Sequence, residues 1–483
     1  MAVALLAAVA CVNVYRAATQ SITADEAFTY NHFAGGDEPV RVYDANNHVL
    51  FTWLARASVR TFGLSEFSLR LPAVVAGWFY LAAVYAIARR WLTRPWLFLP
   101  AVASLALNPF VLDFLSAARG YGLALALLAW AIHLLARDLE ETTAAVRRWR
   151  LAAVCLALAV AANLNFAVPG AALAATFFLL TIWRRPPAPR RAAELARNFI
   201  GPGLLLVLLV LAWPLRTASK AAFYYGVDSL RQTLQGLIYY SFCYSRPEAP
   251  TRLQNLLWDV SFGLVPCILA AAALVGLALL RRRAAHGALE GCESFLLLIT
   301  GAAWLALGLL AGLKAALGLK YPVDRTALYW IPLFTLLCLA LMGTARRPGW
   351  RAASAPLAVY LGLATTQYAV QFDTRFYAQW RYDAATKEMV QRIIRREASG
   401  APRRVRIGAS WVFEPSLNFY RLRYRLGWLE RVTRDGPRGA HDYYLLVGED
   451  TALVEQSGLK VLHQDALSGA VLAAPARVIQ SSP

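Results

Sequence analysis

Acidic residues are scarce in this sequence, and charge of either sign is thin. Among 483 residues there are 29 Asp and Glu against 49 Lys and Arg, and charged residues total 16%. A soluble globular domain carries about 25% charged residues, so that class is excluded. The six cysteines, at 11, 155, 243, 267, 292 and 338, form no C-x-x-C and sit mostly in apolar runs, so neither a disulfide framework nor a structural zinc site is indicated. The opening run "MAVALLAAVACVNVY" lacks a basic leading stretch and a clean A-x-A site behind it, which makes it a span rather than a signal peptide. No internal repeat and no low-complexity tract interrupts the chain; "RRPPAPRR" is a stiff connecting loop.

What is abundant is apolar surface. Hydrophobic residues make up 58% of the chain and the mean hydropathy is +0.45. Runs of roughly 20 apolar residues, each able to cross a hydrocarbon core of ~30 Å, recur near 1–17, 71–89, 96–115, 119–136, 151–164, 166–183, 199–216, 258–280, 293–313, 327–345 and 352–371. The expected fold class is a polytopic α-helical membrane protein of about eleven spans. A net charge of +20 would suit nucleic acid, but the arginines come in short clusters between apolar runs: "ARRWLTR", "VRRWR", "WRRPPAPRR", "LRRRAA" and "ARRPGWR". That is the positive-inside pattern, and no nucleic-acid partner is expected.

With the N-terminus inside and the sides alternating, every one of these clusters falls in the cytoplasm. The opposite face then receives residues 18–70, the turns at 113–119 and 163–165, the loop at 217–257, "KYPVDR" and everything after 371. Past that point the composition changes. "DAATKEMVQRIIRREASG" has helical spacing and a Gly stop; "RRVRIGAS", "HDYYLLVG", "LKVLHQD" and "GAVLAAP" read as short strands, with a helix at "FEPSLNFYRLRYRL". The expected organisation is a transmembrane catalytic region over 1–371 and a small extracytoplasmic α/β domain over 372–483. The aromatics at 223–225 and 239–240 read as an interfacial belt.

The unusual polar content gathers on the outer face. The first outer loop carries Asp25, Glu26, His32, Asp44, Asn46, Asn47 and His48; the second carries Asp113, Arg119 and Tyr121; a third carries Lys320, Tyr321, Asp324 and Arg325. Ionisable groups converging at one membrane surface suggest a site that works on something anchored in the bilayer with its head group outside. The order "DE" after the first span, then "NNHVLFTWLAR", "SEFSLRLPAVVAG" and "ARGYGLALAL", resembles the GT-C glycosyltransferases. The nearest likeness is to bacterial relatives of protein O-mannosyltransferases and of the lipid A aminoarabinose transferase.

The resemblance implies inverting transfer of a sugar from a polyprenyl-phosphate donor to a hydroxyl of an envelope lipid, glycan or protein. A phosphate leaves as an anion and needs no proton, so one carboxylate base is enough. Consecutive residues point in different directions, so Asp25 and Glu26 cannot share one proton. The family's loop acid carries over to Asp25 as base, leaving Glu26 to orient the acceptor, a neighbouring cation or a metal. Arg119 and Arg325 offer planar forks to phosphate oxygens. Asn47 and His48 occupy the place of the family's short polar stretch, although Val49 stands where many relatives have Pro. Asp113, Tyr121 and Tyr321 complete the expected substrate-binding set. Carboxylate and imidazole could hold a divalent ion against phosphate, but the spacing is not compact and metal dependence stays open. The chain is taken to act as a monomer among membrane lipids.

Each assignment has a plainer alternative. "T-A-D-E" is also a good helix N-terminus for Asp25 and Glu26, Arg119 could be a snorkelling flank residue, Asp113 an interfacial acid, His48 an ordinary loop imidazole, and Asp324–Arg325 a local surface pair. The rival functions are a polytopic transporter or flippase, a lipid-linked oligosaccharide ligase and a membrane scaffold. Transport is disfavoured because the spans are clean and the polar groups lie in outer loops.

Overall fold

The structure, a computed structural model, describes residues 1–36, 44–141, 145–184, 188–218, 225–245, 251–286, 289–345, 348–398 and 403–476. Phe223 and Tyr224 of the aromatic triplet, residues 185–187 and 346–347 of two arginine clusters and the Ser399-Gly400 stop lie outside the described residues. The chain begins with α1 (Ala2–Thr19), the short α2 (Ala24–Thr29), α3 (Val49–Phe62) and α4 (Glu66–Trp91). Next come α5 (Pro95–Ala106), α6 (Pro109–Phe114), α7 (Gly120–Glu140), α8 (Val146–Ala162) and α9 (Ala167–Arg184). Then follow α10 (Ala188–Leu195), α11 (Gly201–Leu215), α12 (Leu230–Phe242), α13 (Arg252–His286), α14 (Gly291–Leu317), α15 (Trp330–Thr344) and α16 (Pro348–Gln371). Each expected apolar segment falls on one of these helices. Among the described residues, eight helical stretches are long and apolar enough to cross a membrane, so the protein is a polytopic helical membrane protein. The segment expected over 96–115 is broken in two: Pro109 opens α6 and the Asn108 side chain caps it by accepting from the Val111 amide (3.1 Å).

Local chemistry explains how α4 begins. Ser65 caps it reciprocally with Ser68 (3.0 Å each way). Pro72 then removes the N–H that would have bonded the Ser68 carbonyl. That carbonyl is met instead by the Ser58 hydroxyl of α3 (2.6 Å), so no backbone acceptor is orphaned in an apolar setting. The "ARGYG" turn is held by close approach. A Cβ on Gly120 would lie 1.9 Å from the Ala162 carbonyl oxygen, and one on Gly122 would lie 2.0 Å from that of Phe114. Only glycine lets α7 start hard against the ends of α6 and α8.

The two ends of the bundle differ in chemistry. At ~1.5 Å per residue, α4 with its 26 residues separates them by roughly 39 Å. Near Trp91, basic side chains are tied into an ionic rim: Arg90 bonds Glu140 (2.7 Å), Arg148 pairs with Asp138 (3.4 Å), Arg94 donates to the Ala345 carbonyl (2.8 Å) and Arg282 pairs with Glu293. Near Glu66 lie the first loop and the C-terminal residues.

Those C-terminal residues form α17 (Thr386–Glu397), α18 (Glu414–Arg423), α19 (Leu453–Gln456) and a four-stranded sheet. Its strands are β1 (Ile407–Ala409), β2 (Tyr443–Leu446), β3 (Lys460–Gln464) and β4 (Val471–Ala474), in the order β1-β2-β4-β3. β1 runs parallel to β2, and β4 lies antiparallel to both β2 and β3. The small α/β unit expected from the sequence is therefore present. One face of its sheet has a core of its own, around Tyr444, Leu446, Leu459 and Val471, but the larger cluster is shared. Leu417, Phe419, Tyr420 and Met389 pack in one buried cluster with Ile22, Ala27, Phe51, Leu69 and Ala118, so the first outer loop and the C-terminal residues fold against each other.

Two glycines should separate close approach from mere flexibility. Gly122→Ala is expected to abolish recovery of folded protein from membranes. Gly170→Ala in α9, whose Cβ would meet Leu156 and Val160 side chains only at 3.9 and 4.0 Å, should leave thermal stability equal or raised, by up to ~1 kcal/mol from helix propensity. Gel-filtration recovery and a melting curve in detergent decide the matter.

Candidate active site

The loop acids sit on α2, which opens with a capping box. The Thr23 hydroxyl accepts from the Glu26 amide (3.3 Å), and the Glu26 carboxylate accepts from the Thr23 amide (2.9 Å). The capping alternative thus describes Glu26 well. Its carboxylate is fully buried and also receives Arg70 Nε (2.8 Å) and Nη2 (2.7 Å) and the Ala118 amide (2.6 Å). Arg70, which falls within "SEFSLRLPAVVAG" and outside the expected site set, also donates to the carbonyls of Ala17, Gln20 and Ser21 (3.2, 2.8 and 2.6 Å).

Asp25 turns away from this lattice. Its Oδ2 lies 3.2 Å from Arg325 Nη2 and 3.9 Å from Arg119 Nη2. Arg119, almost wholly buried at the start of α7, is held by the Thr29 hydroxyl (2.8 Å) and the Asp25 carbonyl (3.3 Å). Arg325 donates to Gln379 (3.3 Å) and lies over the rings of Tyr225 (5.1 Å) and Trp380 (5.9 Å). Burial tends to raise the Asp25 carboxyl, but Arg325, Arg119 and the Trp380 indole together outweigh it and bring the group below its ordinary 3.8. Asp25 is an ionised carboxylate facing two guanidiniums. Its side chain is 25% exposed, although Oδ2 itself is buried between the guanidiniums.

Beside this cluster lies a chamber of about 290 Å³, lined by Asn46, Asn47, His48, Tyr121, Asn163, Asn165, Lys320 and Arg325 with apolar walls from Leu211 and Leu310. His48 caps α3 and approaches the Ala162 carbonyl through Nδ1 (3.1 Å). Burial, then Arg119, push its pKa well below 6.5 against the opposing Ala162 bond, so the imidazole is neutral. Tyr121 packs between His48 and Phe114 (4.9 and 4.8 Å between ring centres).

Two residues of the expected substrate-binding set, Asp113 and Tyr321, are placed elsewhere, and the neighbouring Asp324 is bonded locally. Asp113 is buried in a separate network, accepting from Arg16, from Tyr244 (2.7 Å) and from the Ala378 amide (2.9 Å). Tyr321 pairs in an isolated bridge with Val227 under Lys314 (5.8 Å) and is not among the chamber-lining residues. Asp324 accepts from the Tyr225 hydroxyl (3.2 Å) at a left-handed φ of 50°. Among the described residues, no group of three or more His, Cys, Asp or Glu comes together to hold a metal. Sequence inspection missed Asn163, Asn165 and Trp380. The "NLN" turn between two spans was the one available signal for the first pair.

Residues 46–213 match the family model described as dolichyl-phosphate-mannose-protein mannosyltransferase. Over that stretch the resemblance to GT-C glycosyltransferases is borne out, and it includes Asn47, His48, Arg119 and Tyr121. No curated protein matches the chain. Among solved structures, the chain is similar to ArnT from Cupriavidus metallidurans in the apo state, at 14% identity and a TM-score of 0.48, covering 100% of this chain and 99% of that one. It is also similar to the same protein bound to undecaprenyl phosphate, at 15% identity and a TM-score of 0.44, with the same coverage.

Breaking the Glu26–Arg70 pair from one side strands a charge where no water reaches. Arg70→Met should cost about 3–5 kcal/mol in chemical unfolding of the detergent-solubilised protein. Arg70→Met combined with Glu26→Leu should recover most of that loss.

Proposed function

We propose that this membrane glycosyltransferase transfers a sugar from a polyprenyl-phosphate donor to an acceptor hydroxyl on the extracytoplasmic face, with inversion at the anomeric carbon. The observation that carries it is the position of the Asp25 carboxylate. It is ionised, partly exposed and within ion-pair reach of Arg325 and Arg119 at the edge of a polar chamber. An apolar cavity of about 640 Å³ lies between α12, α13, α14, α15 and α16, with Arg231 among its lining residues; Leu307 of α14 lines it, one helical turn from Leu310 of the chamber. The cavity offers room for the isoprenoid chain of the carrier. The gathering of the basic rim at the far end of α4 supports an outward-facing site, since such clusters stay cytoplasmic.

In this scheme Arg325 and Arg119 hold the donor phosphate, and the acceptor oxygen attacks the anomeric carbon. The bond from that carbon to the phosphate oxygen breaks and its electron pair leaves with the phosphate. The acceptor proton passes to Asp25. As Arg325 engages the phosphate it weakens its hold on Asp25, which raises the basicity of the carboxylate when the donor is in place. Positive charge aimed at the departing phosphate is the larger contribution; positioning of the acceptor by its remote parts supplies much of the rest. Glu26 and Asp113 serve as buried anchors in this scheme: one orients Arg70, the other Arg16.

Asp25→Asn should lower transfer from undecaprenyl-phosphate sugar by about 10²–10⁴-fold while the melting temperature holds. Near-normal turnover by that variant would refute the base assignment. Arg325→Met takes away the largest charge opposing burial, so the Asp25 pKa must rise. The acid limb of kcat/KM, expected below 3.8 in the parent, should move upward, with donor KM raised roughly tenfold or more. An unmoved acid limb would show that Asp25 is not the titrating base.

A further inference from the structure

The chamber beside Asp25 has polar chemistry that a phosphate and a base do not use. We infer that it is the subsite for the donor's sugar, and that this sugar is an uncharged, hydroxyl-rich ring read by Asn163, Asn165 and Asn47 together with His48. This rests on the donor reading above and deepens it. Asn163 closes α8, is nearly fully buried, and accepts from both the backbone amide and the side chain of Asn165 (3.0 Å each). Its amide nitrogen lies 3.2 Å from His48 Nδ1. Asn47 commits its oxygen to the Thr52 hydroxyl (2.8 Å) and keeps its amide hydrogens as donors. The turn therefore presents linked carboxamides whose free valences are one donor here and one acceptor there.

One deeply buried polar atom among the lining residues is unmatched. His48 Nε2 has no hydrogen-bond partner among the described residues, and the residue is 5% exposed. A buried polar group without a partner costs about 1–3 kcal/mol, so such an atom calls for a ligand that can satisfy it. A sugar hydroxyl both donates and accepts, and therefore meets either tautomer of the neutral imidazole. The charged side chains among the described lining residues are Lys320 and Arg325, both cations. Arg325 is paired with Asp25, which leaves Lys320 to repel a sugar bearing an ammonium, whereas neutral hydroxyls meet amides. The apolar walls from Leu211, Leu215, Leu310 and Leu313 suit the C–H faces of one ring, and about 290 Å³ is at the small end of ligand sites.

Binding to the purified full chain in nanodiscs, without acceptor, tests this independently of turnover. Three probes are compared: bare undecaprenyl phosphate, undecaprenyl-phosphate mannose and undecaprenyl-phosphate 4-amino-4-deoxyarabinose. The hexose should improve affinity about tenfold over the bare carrier, and the amino sugar should not. Asn165→Ala should remove the hexose increment while leaving affinity for bare carrier within about twofold. Asn163→Ala should do the same, and if it fails to fold Asn165→Ala decides alone. Equal or tighter binding of the amino-sugar lipid, or a hexose increment that survives in Asn165→Ala, overturns the inference. Carrier binding without sugar discrimination strikes this inference only. Loss of all carrier binding in the parent chain strikes the donor reading as well.

Discussion

The buried ion pair between Glu26 and Arg70 is the constraint on which the outer end of this protein depends. Both side chains are completely removed from solvent, where an ion pair survives only if its remaining valences are filled. Here they are. Arg70 spends its other hydrogens on the carbonyls that end α1, and Glu26 accepts the amides of Thr23 and Ala118. One pair thereby fixes the end of the first span, the start of α2, the third turn between spans and the first turns of α4. Asp25, one residue from Glu26, inherits that rigidity without sharing in the bonds. Preorganised placement of this kind is what electrostatic catalysis needs.

The C-terminal residues complete the same frame from the other side. One helical turn before Arg70, the buried Glu66 is gripped by Lys387 (3.1 Å), Arg423 and the Tyr420 hydroxyl (3.2 Å). Tyr420 also accepts from the Ile22 amide (2.9 Å), and Asp383 accepts from the Ala24 amide that opens α2 (2.7 Å). The shared core around Leu417, Phe51 and Ala27 adds apolar burial to these bonds. The segment that carries Asp25 is thus clamped between α4 below and α17 and α18 above, with Trp380 and Gln379 reaching the Arg325 side of the cluster.

Much of this was legible because it is periodic or locally coded. Apolar runs of membrane length, arginine clusters between them and the strand-like segments after residue 403 follow from spacing alone. The "T-A-D-E" cap was legible too, and so was the placing of Asp25 with Arg119 and Arg325 on one face, through the sidedness of the outer loops together with the family resemblance that singled out Asp25. What was not legible is long-range pairing. Nothing in the local sequence says that Asp113 answers Arg16, 97 residues earlier, or that Glu26 answers Arg70 rather than a substrate. Asn163 and Asn165 were overlooked because a polar turn between spans looks the same whether it faces water or lines a chamber. Pro109 divided one expected span because a proline with an asparagine cap is as good a start as a kink.

Four of the acids at this end of the chain hold arginines. Glu26 faces Arg70, Asp113 faces Arg16, Glu66 faces Arg423, and Asp25 faces Arg325 and Arg119. Pairing alone therefore does not mark the chemistry, since all four carboxylates have it. Saturation does. Three of them are at most 2% exposed and have their oxygens met by further donors. Asp25 is 25% exposed, and its Oδ2 has close guanidiniums but no aligned hydrogen bond. A saturated pair has nothing left to exchange when a ligand arrives. The unsaturated one can trade a guanidinium for a phosphate and an empty valence for a proton, which is what separates a base from an anchor in this fold.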